Sequence, residues 1–292
     1  MTSSATEVAR HASSDDQLID IWLHGRSPHT QRAYRTDIAR LRFGSGKRGA
    51  GKPLALLTLP ELQEFANSLA YLAPASRYRA LSSVKSLLSF GHRIGYLPVD
   101  VGRVLRLPAV SNRLAERILP EGDLHRILSL ERNTRNRAIL TLLYASGVRV
   151  SELCGLCWRD LQANGDGGQI TVLGKGSVTR SIRIPASVWR LVIGLKPADM
   201  DVGDAVFRSR KKKAGGLQPL AVLRIVRAAA QRAGIEAAVS PHWLRHAHAS
   251  HALDRGAPIH LVQATLGHAS INTTGRYLHA RPNDSSSRFL PL

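Results

Sequence analysis

What most limits the fold of this chain is a change of texture near residue 107. From Asp16 to Arg106, apolar residues recur at helical spacing in "QLIDIWLHG", "SPHTQRAYRTDIARLRFG", "TLPELQEFANSLAYL" and "ASRYRALSSVKSLLSFGHRIGYL", and few stretches alternate as strands do. "LRLPAVSNRLAERILP" then breaks the period, with Pro108 and Pro120 near its ends. A helical pattern that stops at such a stretch and restarts beyond it predicts two cores, and 292 residues suffice for two. The expected division is a disordered N-terminus over 1–15, an all-helical domain over 16–106, a linker over 107–119, a second domain over 120–282 and a tail over 283–292.

Local signals support the helices. Ser27 is placed to cap the second one, Pro28 suits its first turn, and Tyr34, Ile38 and Leu41 share a face. Thr58 and Pro60 open the third in the same way. The second domain is mixed. "PEGDLHRILSL", "NRAILTLLYASGVRVSELCGLCWRDL", "PLAVLRIVRAAAQRAG", "PHWLRHAHASHALDRG", "PIHLVQATLG" and "INTTGRYLHA" read as helices, whereas "GGQITVLGKGSVTRSIRIP" alternates β-branched residues around a Gly-Lys-Gly turn and predicts a small antiparallel sheet. The fold class is therefore mainly α, with no internal repeat.

Charge narrows the partners. Forty-one Lys and Arg against 21 Asp and Glu leave a formal +20, a surplus that favours a polyanion through counterion release. The longest apolar stretches, such as "AILTLLYASGV", fall short of the roughly 20 residues of a membrane-spanning helix, and the N-terminus carries no secretion signal. The two cysteines, Cys154 and Cys157, form a lone C-x-x-C in an apolar helical setting, expected to be structural thiols. "RSRKKKAGG", residues 208–216, is the densest basic run and reads either as a solvated loop or as a phosphate contact.

The stretch "SPHWLRHAHASH" holds four histidines and an arginine. His242 and His246 have the i, i+4 spacing of zinc proteases, but Trp243 stands where the glutamate base would be, and Arg245 sets a fixed positive charge beside the pair. No metal is expected. His246, His248 and His251 read as core-lining or helix-capping residues. His242 and Arg245, at i and i+3, project together and offer an imidazole beside a forked guanidinium, a pairing suited to a phosphate oxygen.

Their company sharpens this. "YASGVRVSELCGL" supplies Arg149 with Glu152 one turn later, a carboxylate able to orient it; "VLGKGSV" puts Lys175 at a hairpin tip; "LGHASINTTGRYLH" supplies His268 and Tyr277. This ordered set resembles the tyrosine recombinase (phage integrase) family, and "SPHTQRAYRTDIARL" is similar to the opening helix of that family's N-terminal domain. The resemblance implies a SAM-like core-binding domain followed by a mixed α/β catalytic domain of the DNA breaking-rejoining fold, the two forming a C-shaped clamp on the duplex.

It also implies the chemistry. Tyr277 would attack a DNA phosphate to give a 3′-phosphotyrosyl link and a free 5′-hydroxyl, with Arg149 and Arg245 clamping the non-bridging oxygens. His242 and His268 would support the phosphate and shuttle protons, and Lys175 would protonate the leaving 5′ oxygen. No metal, ATP or other cofactor enters. The implied partners are double-stranded DNA carrying specific sites and, on synapsed DNA, a homo-tetramer resolving a Holliday junction; free in solution the chain would be a monomer or weak oligomer, cytoplasmic and off the membrane. Candidate phosphate contacts are Arg32, Arg35, Arg77, Arg79, Lys85, Arg208, Arg210, Lys211, Lys212 and Lys213. The tail ends in Phe289 and Leu290, which either dock on a neighbouring protomer or fray. Type IB topoisomerase-like relaxation and a catalytically silent DNA-binding regulator are the competing readings.

Overall fold

A computed structural model describes residues 12–44, 51–109, 115–174, 179–209 and 215–277. The chain divides into two compact units, residues 1–111 and 112–292.

The α-helices among the first unit's described residues are α1 (Asp15–Leu23), α2 (Pro28–Phe43), α3 (Leu59–Ser68) and α4 (Pro74–Arg93), and these residues form no strand. Ser14 caps α1, its hydroxyl accepting from the Gln17 N–H, and Ser27 caps α2 by accepting from the Thr30 N–H. Thr58 and Glu61 form a reciprocal capping box on α3. Lys52 together with the Thr58 backbone and hydroxyl holds the exposed Glu61 carboxyl at about 2. The expected face of α2 turns inward: Ile38 is buried, Leu41 packs beside it, and Tyr34 stacks on Trp22 at 5.2 Å.

The most deeply buried charge of this helical core is a carboxylate on α2. Asp37 is fully buried, and its carboxylate accepts from both Nε and Nη2 of Arg79 on α4 and from Nη1 of Arg40, each at 3.0 Å. Of the segment expected to be disordered over 1–15, residues 1–11 lie outside the described residues and the rest is held in place. Ala12 is buried, and the Asp15 carboxylate accepts from the Leu54 N–H and the Tyr96 hydroxyl, so the chain is tied down at least from residue 12.

The second unit contains α5 (Glu121–Ser129), α6 (Thr134–Ser146), α7 (Val150–Gly155), β1 (Leu161–Asn164), β2 (Gly167–Leu173), β3 (Thr179–Ile184), α8 (Ala186–Ile193), α9 (Pro219–Arg232), α10 (Pro241–Asp254), α11 (Ile259–Leu266) and α12 (Ile271–Gly275). The sheet is antiparallel in the order β1-β2-β3, with β2 and β3 paired from Gly168 opposite Ile184 to Leu173 opposite Thr179. Strand β1 is an addition to the expected hairpin. Its turn was legible in "ANGDGG": Asn164 pairs with Gly167 across Gly165 and Asp166, and Gly165 takes φ +63°, as a tight hairpin requires.

The last residue of the expected linker over 107–119 packs with the second unit. Leu119 is a core residue of the second unit, and its carbonyl accepts from Nε2 of His251. Helix α10 runs through this core, burying Leu244 and Ala247, with Ala249 and Leu253 in a satellite cluster beside Val262, Leu266 and Tyr277. Among the described residues no helix is long and apolar enough to cross a membrane.

Candidate active site

The site is built where α6, α10 and α11 end or pass one another. Gly147 stops α6 in the left-handed conformation (φ +60°), and a Cβ there would lie 2.7 Å from the His248 ring and 2.8 Å from Leu266. The tight approach frees its carbonyl, which accepts from Nη1 of Arg245 at 2.5 Å. Nη2 of Arg245 donates to the carbonyl of Leu266, the last residue of α11, at 2.7 Å. Arg245 is 4% exposed. Burial, reinforced by Arg149, lowers its guanidinium to about 10 despite the opposing pull of Glu152. It remains charged at neutral pH.

Arg149 follows directly. As the residue before α7 it offers no side-chain cap of its own; its backbone N–H donates to Glu152 at 2.7 Å, its Nη1 donates to the same carboxylate at 2.8 Å, and its Nη2 reaches the Gly267 carbonyl at 3.3 Å. The two arginines therefore meet at adjacent carbonyls of one helix end. Glu152 is the hinge of the arrangement, with its side chain 4% exposed. Burial resists its ionisation, but hydrogen bonds from Arg180 and Arg149 outweigh burial and hold it at about 2.

Arg180 is a residue that sequence reasoning missed. From β3 it grips Glu152 with Nη1 at 3.0 Å and Nη2 at 2.8 Å, while Nε donates to the Thr265 carbonyl at 2.8 Å. The signal was present: Arg180 shares a strand face with the buried Ile182 and Ile184, so period-two alternation points it inward, where it needs a partner.

The histidines and Tyr277 complete the cluster. The His242 and His246 rings stack at 6.3 Å, and the His268 and Tyr277 rings lie parallel at 6.5 Å. Nδ1 of His268 is 2.9 Å from the Thr274 hydroxyl. Burial first, and then Arg245, Arg149 and Arg180, push His268 down to about 4. His242 is pushed downward by partial burial of its ring first and then by Arg245, Arg149 and Arg117. Tyr277 is buried at 4% exposure.

His246 departs from the expected core or capping role. Its face of α10 meets the second residue beyond α12, and Nδ1 lies 2.7 Å from the Tyr277 hydroxyl. His248 and His251 do behave as framework: Nδ1 of His248 contacts the Tyr144 carbonyl at 2.7 Å, and His251 bridges the Tyr144 hydroxyl and Leu119. Cys154 and Cys157 are free, part-buried thiols, and burial pushes Cys154 up to about 11.

So Arg149, Arg245, His242, His268 and Tyr277 come together in one unit, while Lys175 lies outside the described residues. The candidate phosphate contacts are more scattered. Arg32 is exposed on α2, and its side chain bonds to no described residue. Arg35 pairs with Asp20, Arg79 is committed to Asp37, Arg77 donates to the Ala66 carbonyl, and Lys85 donates to the carbonyls of Arg103 and Leu105. Arg208 pairs with Asp204; Arg210, Lys211, Lys212 and Lys213 lie outside the described residues, as does the tail.

A family model described as the phage integrase family matches residues 117–284. The chain belongs to the phage integrase family. This family member is 36% identical over 264 residues to tyrosine recombinase XerC of Xylella fastidiosa (strain M23), with 87% of each chain covered. It is 33% identical over 271 residues to XerC of Myxococcus xanthus, again with 87% of each covered. Two solved structures share its fold. One is a λ integrase(75-356) dimer bound to a COC′ core site (TM-score 0.73, 19% identity, 92% of this chain and 95% of that one). The other is XerH site-specific recombinase bound to difH in a pre-cleavage complex (TM-score 0.69, 20% identity, 95% and 83%). This integrase-family chain is a tyrosine-type site-specific DNA recombinase. Relatives at this level of identity favour neither the topoisomerase-like reading nor the silent regulator.

Proposed function

We propose that the recombinase cuts each strand by attack of the Tyr277 hydroxyl on phosphorus, forming a 3′-phosphotyrosyl bond as the 5′ oxygen leaves. The single observation carrying this reading is that Tyr277 lies within its own subunit in the pocket that holds Arg149, Arg245, His242 and His268. Cutting a phosphodiester without a metal demands a nucleophile, neutralisation of the phosphoryl oxygens and a proton for the leaving group. Two guanidiniums anchored at one helix end supply the second, preorganised so that little rearrangement accompanies the growth of charge. Lys175 is the proposed acid.

The ester conserves the energy of the broken bond, so neither ATP nor a divalent ion need act. The freed 5′-hydroxyl would attack the phosphotyrosine on a partner strand, and two rounds within a homo-tetramer would pass through a Holliday junction. The partner is double-stranded DNA, consistent with the +20 formal charge, and a DNA substrate gives the protein a cytoplasmic place of action. Arg32 is the leading phosphate contact of the first unit.

The test is a nicked suicide duplex bearing the recognition site, in which the short fragment carrying the freed 5′-hydroxyl diffuses away and the covalent adduct is trapped. The intact chain is expected to accumulate adduct and Tyr277→Phe none. An adduct of undiminished yield in Tyr277→Phe overturns the assignment.

A further inference from the structure

A phenol that attacks phosphorus must give up its proton, and the arrangement around Tyr277 leaves few acceptors. At 4% exposure the residue has little access to bulk water. Arg149 and Arg245 are donors only. His268 lies parallel to the phenol, with its Nδ1 engaged by the Thr274 hydroxyl. His246 alone among the described side chains is hydrogen-bonded to the Tyr277 oxygen, through Nδ1 at 2.7 Å, within the range a general base requires. We infer that His246 is the proton acceptor for Tyr277: a neutral imidazole carrying its own proton on Nε2, whose Nδ1 receives the phenolic hydrogen as the oxygen bonds to phosphorus. The inference rests on Tyr277 being the nucleophile.

The step balances. The O–H bond of Tyr277 breaks and an N–H bond forms on His246, leaving an imidazolium; the phenolic oxygen bonds to phosphorus while the bond from phosphorus to the 5′ oxygen breaks. That oxygen takes its proton from the acid proposed at Lys175. In the rejoining step the imidazolium returns its proton to the departing phenolate.

The surroundings make this base conditional on substrate. Burial first, then repulsion from His242 when it is protonated and from the cations Arg245, Arg117 and Arg276, push His246 down to about 4, and burial raises the phenol. The proton therefore stays on Tyr277 while the site is empty of DNA. A phosphodiester held by Arg149 and Arg245 brings negative charge against the same cations that suppress His246, so the imidazole gains basicity when there is something to cut.

The test uses the full chain in single-turnover cleavage of the suicide duplex. His246→Asn keeps an acceptor oxygen near the place of Nδ1 but cannot hold the proton. Adduct formation is expected to slow by about a hundredfold or more, while DNA affinity in a gel-shift titration stays within about twofold, a margin under half a kcal/mol. Replacing Tyr277 with a fluorinated, more acidic tyrosine should recover part of the lost rate, since a better-ionised phenol needs less help. A substrate with sulfur at the 5′ leaving position, which relieves the need for an acid, should not. A rate within tenfold of the parent, or recovery by sulfur and not by fluorine, overturns the inference. If the variant does not fold, nitrogen NMR of His246 in the unsubstituted free protein decides: hydrogen on Nε2 agrees, and hydrogen on Nδ1 overturns. Loss of adduct in Tyr277→Phe with a parental rate in His246→Asn removes this inference alone, whereas adduct in Tyr277→Phe removes the nucleophile and this inference with it.

Discussion

Each unit buries a charge, and the two are treated in opposite ways. In the first, the Asp37 carboxylate has no exposed surface and is met by two arginines, Arg40 and Arg79. In the second, the Arg245 guanidinium is nearly as buried, yet its hydrogen bonds go to the carbonyls of Gly147 and Leu266, which carry no net charge, and a second cation, Arg149, stands close enough to depress it. Asp37 is a completed ion pair network that ties α2 to α4. Arg245 is a charge that no carboxylate bonds, with Glu152 acting on it only from beyond hydrogen-bond reach. Burying a charge without a bonded partner of opposite sign costs stability, so on the proposed function the second unit keeps a place for the DNA phosphate at some expense to its own fold.

The most direct way to break this comparison is Arg245→Met. Removing a preorganised donor should lower the cleavage rate by about a hundred- to a thousandfold. Stability should change little, by about 1 kcal/mol in either direction, because relief of the buried charge offsets two carbonyls left without donors. Single-turnover cleavage and urea unfolding of the full chain measure the two quantities. A loss of stability of about 3 kcal/mol or more would make Arg245 a structural ion like its counterpart and erase the contrast.

Arg79→Ala is the complementary experiment. It leaves Asp37 buried with Arg40 alone; a fully buried pair would lose about 3–5 kcal/mol, but the Arg79 side chain is 44% exposed, so about 2 kcal/mol is expected. Urea unfolding reads this cost. A variant as stable as the parent would show that the Asp37 network does not hold the first unit together.

Acid provides the mildest probe. His246 and His268 sit at about 4 in the folded protein against an ordinary 6.5. The unfolded chain therefore binds more protons between those values, and their contribution to stability, fully present above 6.5, is lost as pH falls toward 4. The depressed carboxyl of Glu61 in the first unit works lower, its contribution present above 4.5 and lost as pH falls toward 2. Hydrogen exchange followed segment by segment should show α10 and α11 losing protection between pH 6.5 and 4.5 before α3 does. Simultaneous loss in both units would count against the histidine assignment.

How much of this was legible in the sequence depended on how local the cause was. The caps at Ser27 and Thr58, the buried face of α2 and the β2–β3 hairpin follow from spacing within a few residues. So does the pairing of Arg149 with Glu152, one turn apart. Arg180 lies 28 positions from Glu152, so its role needed the strand alternation to be read as a demand for a partner. His246 was harder. Its neighbours along α10 suggest a core residue, and only the path of the chain through α11 and α12 brings Tyr277 onto it. The fate of Arg79 was similarly hidden, since a basic residue on a helix reads as a surface contact until the buried Asp37 is found beneath it.

The seat of Arg245 consists of main-chain oxygens, and this sets what mutation can reach. Replacing side chains one by one with alanine would never delete either acceptor, so such a survey would score the cradle as silent. Its genetic exposure is confined to the geometry of the chain itself, above all at Gly147, where any side chain would press on His248 and Leu266 and turn the oxygen away from the guanidinium. A lineage could thus rewrite nearly every residue around this arginine and still inherit the same receptor, provided that one position kept its hydrogen in place of a side chain.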